Sequence, residues 1–178
     1  GANSGIITAF GVWQAVKAVA KEVFGDDSLK GRTIALQGLG KVGYCLAGHL
    51  SEEGANVIAC DISQENVDKA VKDFGIKTIA PDKIIETECD IFSPCAMGAV
   101  FNDDTIAKLK CKGIAGAANN QLAEPRHAEM LQKRGIVAAP DFVANAGGLI
   151  QVCDELEGYN KERAFRKTAM IYDRILNI

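Results

Sequence analysis

The sequence lacks the features that mark several large classes of protein. No apolar stretch approaches the roughly 18 consecutive residues that a membrane-spanning helix needs. The first residues show no basic segment leading into an apolar one, so neither an anchor nor a secretory leader is expected. A formal charge of -3 with no basic block argues against nucleic acid as a partner. The six cysteines, at 45, 60, 89, 95, 111 and 153, include no CxxC pair and match no histidine spacing suited to zinc. Most sit in or beside apolar runs, which reads as small buried hydrophobes kept reduced in a cytoplasmic location. HExxH, a phosphate loop ending in Gly-Lys-Ser/Thr and a Ser-His-Asp spacing are also missing.

Candidates for proton transfer are correspondingly few. The chain has two histidines. His49 lies beside Leu46 and Leu50 and reads as a packing or helix-surface residue; His127, in Pro125-Arg126-His127, follows a loop and is a weak candidate. Asp141 follows Pro140 at an expected strand end, from which a carboxylate could orient a ligand. The pair Asp103-Asp104 reads as acidic residues at a helix start.

What the chain does have is an ordinary globular balance, 48% hydrophobic and 24% charged over 178 residues, enough for one domain spanning 1–178 with a substantial core. Apolar residues at 6, 9, 10, 12, 13, 16, 19, 20 and 23 recur at helical spacing and predict a helix over 6–24, capped by Ser4 or Thr8. Further helices are expected over 41–53, 64–74 (capped by Ser63, stopped by Gly75), 103–109 (started by Asn102 or Asp103), 125–133, 149–157 and 159–176. Between them fall strands at 33–37, 57–61, 76–79, 89–93 (broken by Ser93-Pro94), 111–116 and 136–138. This alternation predicts an α/β fold, a doubly wound and mostly parallel sheet with helices on both faces.

The most specific signal is the run Gln37-Gly38-Leu39-Gly40-Lys41-Val42-Gly43 between an expected strand and an expected helix. Gly38 permits the tight turn, Gly40 lets the backbone approach a pyrophosphate, Gly43 lets the helix lie against the sheet, and free N–H groups at the helix start face the phosphates. Asp61 ends the next strand 23 residues after Gly38, near the roughly 20-residue spacing of an acid that accepts the adenosine ribose hydroxyls. A 2′-phosphate would meet a like charge there, so NAD is favoured over NADP unless a cation compensates, and only Gln64 and Lys69 lie nearby in sequence. A chance match in a chain with 18 glycines is the alternative, which the strand, helix and acid context disfavours. In open α/β sheets ligands bind beyond the carboxyl ends of the strands. That rule selects the loops Gly38–Gly43, Asp61-Ile62, Pro94–Gly98 with Cys95, Ala96 and Met97, Ala117–Gln121 with Asn119, and Asp141–Gly148 with Asn145. Each loop also reads as a plain turn that uses Gly and Asn for φ > 0.

These blocks, with Thr8-Ala9-Phe10-Gly11-Val12, Cys89–Val100, Pro125-Arg126-His127, Ala139–Gly148 and Asp154–Asn160, run in order along nearly the whole chain. With them the sequence resembles the Rossmann-type coenzyme-binding domain of the glutamate/leucine/phenylalanine/valine dehydrogenases, and most of all the leucine-directed members. The resemblance implies NAD as cofactor, with Thr8 at the nicotinamide carboxamide, Gly38, Gly40 and Gly43 at the pyrophosphate, and Lys41 on the coenzyme side. Asp61 would serve the ribose, and Ala96, Met97 and the loop around Asn119 the nicotinamide half. Asn145 would stand where coenzyme meets substrate, and Val143 would line the pocket for an aliphatic side chain. Leucine-directed members commonly carry Ala where this chain has Gly43 and Asp where it has Asn119. The resemblance also implies that catalysis, reversible oxidative deamination of an L-amino acid, uses two lysines and an aspartate on a separate N-terminal domain. Lys17, Lys30 and Lys41 do not match them. No catalytic residue and no metal ligand is therefore assigned here; the chain alone is expected to bind NAD without turning over, and the parent to be a homo-oligomer. A dehydrogenase of another family and a non-enzymatic NAD-sensing module are the rival readings.

Overall fold

The computed structural model describes residues 4–96, 100–117 and 122–139. The described strands, β1 (Thr33–Gln37), β2 (Asn56–Cys60), β3 (Lys77–Thr78), β4 (Ile91–Pro94), β5 (Gly113–Ile114) and β6 (Val137–Ala138), form a six-stranded sheet in the order β3-β2-β1-β4-β5-β6. Every pairing is parallel. The connections are α2 (Lys41–Glu52), α3 (Gln64–Phe74), a 3-10 helix at Pro81–Glu86, α4 (Asp103–Lys108) and α5 (Arg126–Lys133), with α1 (Ser4–Phe24) leading into the sheet. Because the chain winds outward from β1 through β2 and β3 and then returns to β4, the order reverses between β1 and β4. A crevice opens at that point, beyond the carboxyl ends of the strands.

Local chemistry sets the element ends. Ser63 accepts the Asn66 N–H through its side chain to open α3, and Gly75 closes it in a left-handed conformation at φ 66 with its N–H on the Val71 carbonyl. Asn102 and Thr105 bond reciprocally at the start of α4. Ser4 is already helical, so Thr8 lies inside α1 and caps nothing there. The expected fifth strand over 111–116 pairs only at Gly113–Ile114. Ala115 N–H still reaches the Phe92 carbonyl at 3.1 Å, but the next rung needs an N–H on Pro94, which has none. Pro94 nevertheless remains in strand, in register with Gln37 of β1, so the proline ends the ladder on one side and not the other.

Side chains divide between the two faces. Ile34, Leu36, Val57 and Ala59 pack with α1 and α2, whereas Ala35, Cys60, Phe92 and Ile114 pack under the 3-10 helix, α4 and α5. Helix α1 buries residues nearly all round because it lies against both the sheet and α2. Glu53 ties that corner together, accepting Trp13 Nε1 at 3.0 Å and the Leu29 N–H at 2.8 Å. Among the described residues no helix is long and apolar enough to cross a membrane.

On the other face His127, almost fully buried, joins α5 to α4. Its Nδ1 accepts the Glu124 N–H at 2.9 Å, so the neutral ring carries its proton on Nε2 and donates it to Asp103 Oδ1 at 2.6 Å. His127→Ala would strand that N–H and leave a cavity. The expected loss is about 2–3 kcal/mol in a urea melt; a change within error would show that the α4–α5 contact does not need the imidazole.

Candidate functional site

At the switch point the chain turns sharply after β1. Gly38 has φ 106, a value that strains any residue with a side chain, and a Cβ there would lie 3.0 Å from the backbone of Cys95 and Ala96. The turn closes on itself as well: a Cβ at Gly43 would stand 1.9 Å from the Gly38 carbonyl oxygen. Nothing lies within 4 Å of the corresponding position at Gly40, so the backbone faces open space there. Tyr44 N–H makes the first helical bond of α2, to the Gly40 carbonyl at 2.8 Å, and no side chain caps the helix. The N–H groups of Lys41, Val42 and Gly43 are therefore outside the helical ladder, and α2 carries no acid in its first turn. Open backbone at Gly40 and uncapped donors fit an anionic group such as a pyrophosphate.

Asp61 belongs to the same cluster through a contact that the spacing rule alone did not reveal. Its Oδ2 accepts the Leu39 N–H at 2.6 Å and its Oδ1 accepts the Ser63 N–H at 2.7 Å. The carboxylate thus clasps the glycine turn to the start of α3. Each oxygen keeps a second lone pair for a hydroxyl donor. Next to it Ile62 is 96% exposed, an apolar side chain standing alone at the crevice. Neither neighbour in sequence stands ready to receive an added phosphate: Lys69 lies 4.3 Å over the Tyr44 ring, and Gln64 bonds Asp68 at 2.8 Å.

On the β4 side, Cys95 N–H reaches the Gln37 carbonyl at 2.7 Å, which brings the Cys95-Ala96 loop against the turn. Burial pushes the Cys95 thiol up, partly offset by the Ala117 backbone and the Ser93 hydroxyl. Cys95 and Ala117 therefore adjoin, and Ala96 is exposed at the rim. Lys41 is exposed, with its stem laid against Gly5 of α1: a Cβ on Gly5 would come 2.6 Å from Lys41 Cγ. That contact brings the N-terminal end of α1 to the glycine turn, and Thr8 lies about one helical turn beyond Gly5. Val42 packs into the core below. Met97, Asn119, Asp141, Val143 and Asn145 lie outside the described residues.

Several other reactive side chains among the described residues are engaged in packing or in hydrogen bonds. His49 stacks on Trp13 with centroids 4.8 Å apart, and burial lowers its pKa. His127 is bound at both nitrogens. Asn102 rather than either aspartate caps α4, and Asp103 instead holds Arg126 and His127, which depress its pKa. Burial pushes the Cys60 thiol to about 11, Cys89 to about 12 and Cys111 to about 11, so these stay protonated and inert. No group of metal-ligating side chains is present among the described residues.

Comparison with known proteins agrees with this architecture. The family described as Glutamate/Leucine/Phenylalanine/Valine dehydrogenase matches residues 4–66 and 61–167. A leucine dehydrogenase of Thermoactinomyces intermedius is 57% identical over 176 residues, covering 99% of this chain and 48% of its own length. A phenylalanine dehydrogenase of the same organism is 48% identical over 178 residues, covering 99% of this chain and 49% of its own length. The crystal structure of L-tryptophan dehydrogenase from Nostoc punctiforme superposes with a TM-score of 0.94 at 40% identity, covering 97% of this chain and 53% of that one. The chain spans about half the length of the curated relatives it matches. With the family match extending over most of its length and the parallel fold in common, the chain belongs to the glutamate/leucine/phenylalanine/valine dehydrogenase family.

Proposed function

We propose that residues 1–178 form the NAD-binding domain of an L-amino acid dehydrogenase. The parent enzyme would reversibly deaminate a branched-chain or other apolar L-amino acid, leucine foremost, to the 2-oxo acid and ammonia. The observation that carries the coenzyme part is the Asp61 carboxylate clasped to the glycine turn through the Leu39 N–H at 2.6 Å. The 57% identity to a leucine dehydrogenase supports the substrate part.

In this reading the N–H groups at the start of α2 take the pyrophosphate, with Gly40 as the point of closest approach. Asp61 accepts the adenosine ribose hydroxyls and Ile62 covers one side of the adenine. Thr8, Cys95, Ala96, Met97, Ala117, Asn119 and Asn145 surround the nicotinamide half, and Val143 faces the substrate side chain. Bound there, the coenzyme supplies the hydride acceptor for the α-carbon of the amino acid. The groups that hold the substrate carboxylate and move protons belong to a further domain of a cytoplasmic, homo-oligomeric parent. Both nitrogens of His127 are bonded within the fold, and His49 lies stacked on Trp13 in α1.

Calorimetric titration with NAD and NADP side by side tests the reading. One-site binding that favours NAD, with no turnover of leucine by the chain alone, is expected; absence of binding to either coenzyme would overturn it. Asp61→Ala removes charge-assisted bonds and should weaken NAD by about tenfold or more while affecting NADP less. Because the substitution also frees the Leu39 N–H, equal losses would assign Asp61 to holding the turn and not to reading the ribose. Gly38→Ala forces a side chain into φ 106 against the Cys95–Ala96 backbone. It should lower stability by about 1–3 kcal/mol in a urea melt and reduce NAD affinity with it. An alanine variant with unchanged stability and affinity would remove the turn from the site.

A further inference from the structure

Gln37 is the last residue of β1, in register with Cys60 of β2 and Pro94 of β4. Side chains alternate along the strand: Ile34 and Leu36 join the core beneath α1 and α2, Ala35 joins the opposite core, and Gln37 follows Ala35 to that side. Its backbone carbonyl is taken by the Cys95 N–H. Its side-chain oxygen is not taken: Oε1 is buried, and among the described residues no donor reaches it. A buried acceptor without a donor lowers the stability of the folded chain, and an apolar side chain of the same length would lack that defect. The defect sits one residue before Gly38, at the end of β1 that leads into the glycine turn and still pairs with β4.

We propose that Gln37 is a coenzyme-binding residue whose buried amide oxygen accepts a hydrogen bond from an O–H or N–H donor of the bound dinucleotide. This rests on the coenzyme reading above and adds to it a contact made from the sheet itself, on the side opposite α2. The glycine turn and Asp61 hold the ligand through backbone donors and a carboxylate. Gln37 would supply a neutral acceptor that is satisfied only in the complex. The donor belongs to the adenosine half, to the second ribose or to the nicotinamide, and ligands truncated at each point separate the three.

The test is calorimetric titration of the 178-residue chain and of Gln37→Met with NAD, ADP-ribose and ADP, together with thermal unfolding of each protein without ligand. Gln37→Met should melt at the same temperature or higher, because the orphaned acceptor is gone, yet bind NAD about five- to tenfold more weakly. A deficit shared by all the ligands assigns the donor to adenosine; one seen with NAD and ADP-ribose assigns it to the second ribose; one seen with NAD alone assigns it to the nicotinamide. Equal NAD affinity of the two proteins overturns the inference and leaves the coenzyme reading intact. A clearly lower melting temperature in both Gln37→Met and Gln37→Leu would mean that the amide has a structural partner, and also overturns it. If the unaltered chain binds no NAD, the coenzyme reading falls first and this inference with it.

Discussion

One carboxylate holds the carboxyl edge of the sheet in shape. Asp61 accepts the Leu39 N–H from the turn after β1 and the Ser63 N–H from the start of α3. It thereby joins two crossover connections that would otherwise leave their strands independently. Bonds from backbone donors to an ionised acceptor are short and among the stronger ones in proteins. With the turn pinned in this way, Gly38 must adopt a backbone conformation reserved in practice for glycine, and Gly43 must come close to the Gly38 carbonyl. The uncapped start of α2 then points into the crevice.

The rest of the molecule makes that edge rigid. Two apolar cores lie on opposite faces of the sheet, and polar links bridge the helices at the rim. Glu53 fastens α1 to α2 and to the loop before β1, and His127 fastens α5 to α4. Pro94 contributes by omission: lacking an N–H, it ends the pairing of β4 with β5 and keeps its pairing with β1, so β5 parts from β4 while β4 still lies beside Gln37. Loops that bind ligands are placed well only when such a frame holds their ends.

The described part of the site is made of backbone groups, one carboxylate and small or apolar side chains, and its histidines and buried thiols are absorbed into packing. A surface of this kind suits the binding and orienting of a ligand through backbone donors and one acceptor. The chain spans about half the length of its relatives, in a family whose members are named for different amino acids.

Much of the fold was legible in the sequence because its signals are local. Helical spacing over 6–24, Ser63 and Gly75 at the ends of α3, and Asn102 before α4 each act within a few residues, and the structure agrees with them. The glycine spacing and the acid at the tip of β2 likewise point to the crevice without any knowledge of the fold. Other features depended on partners distant in sequence, which no local pattern encodes. The length of β5 was decided by a missing donor on Pro94, 19 residues before Gly113. His127 became structural because folding brought Asp103 to it, and Thr8 proved to be mid-helix because α1 begins at Ser4. The order of the described elements, the glycine turn and the presence of an acid at the tip of β2 were thus written in the chain, since each follows from steric and hydrogen-bonding preferences of neighbouring residues. That Asp61 clasps Leu39, that Gly38 backs onto Cys95 and that Gln37 keeps a buried oxygen unpaired became true only on folding, because those relations exist once parallel strands far apart in sequence lie side by side.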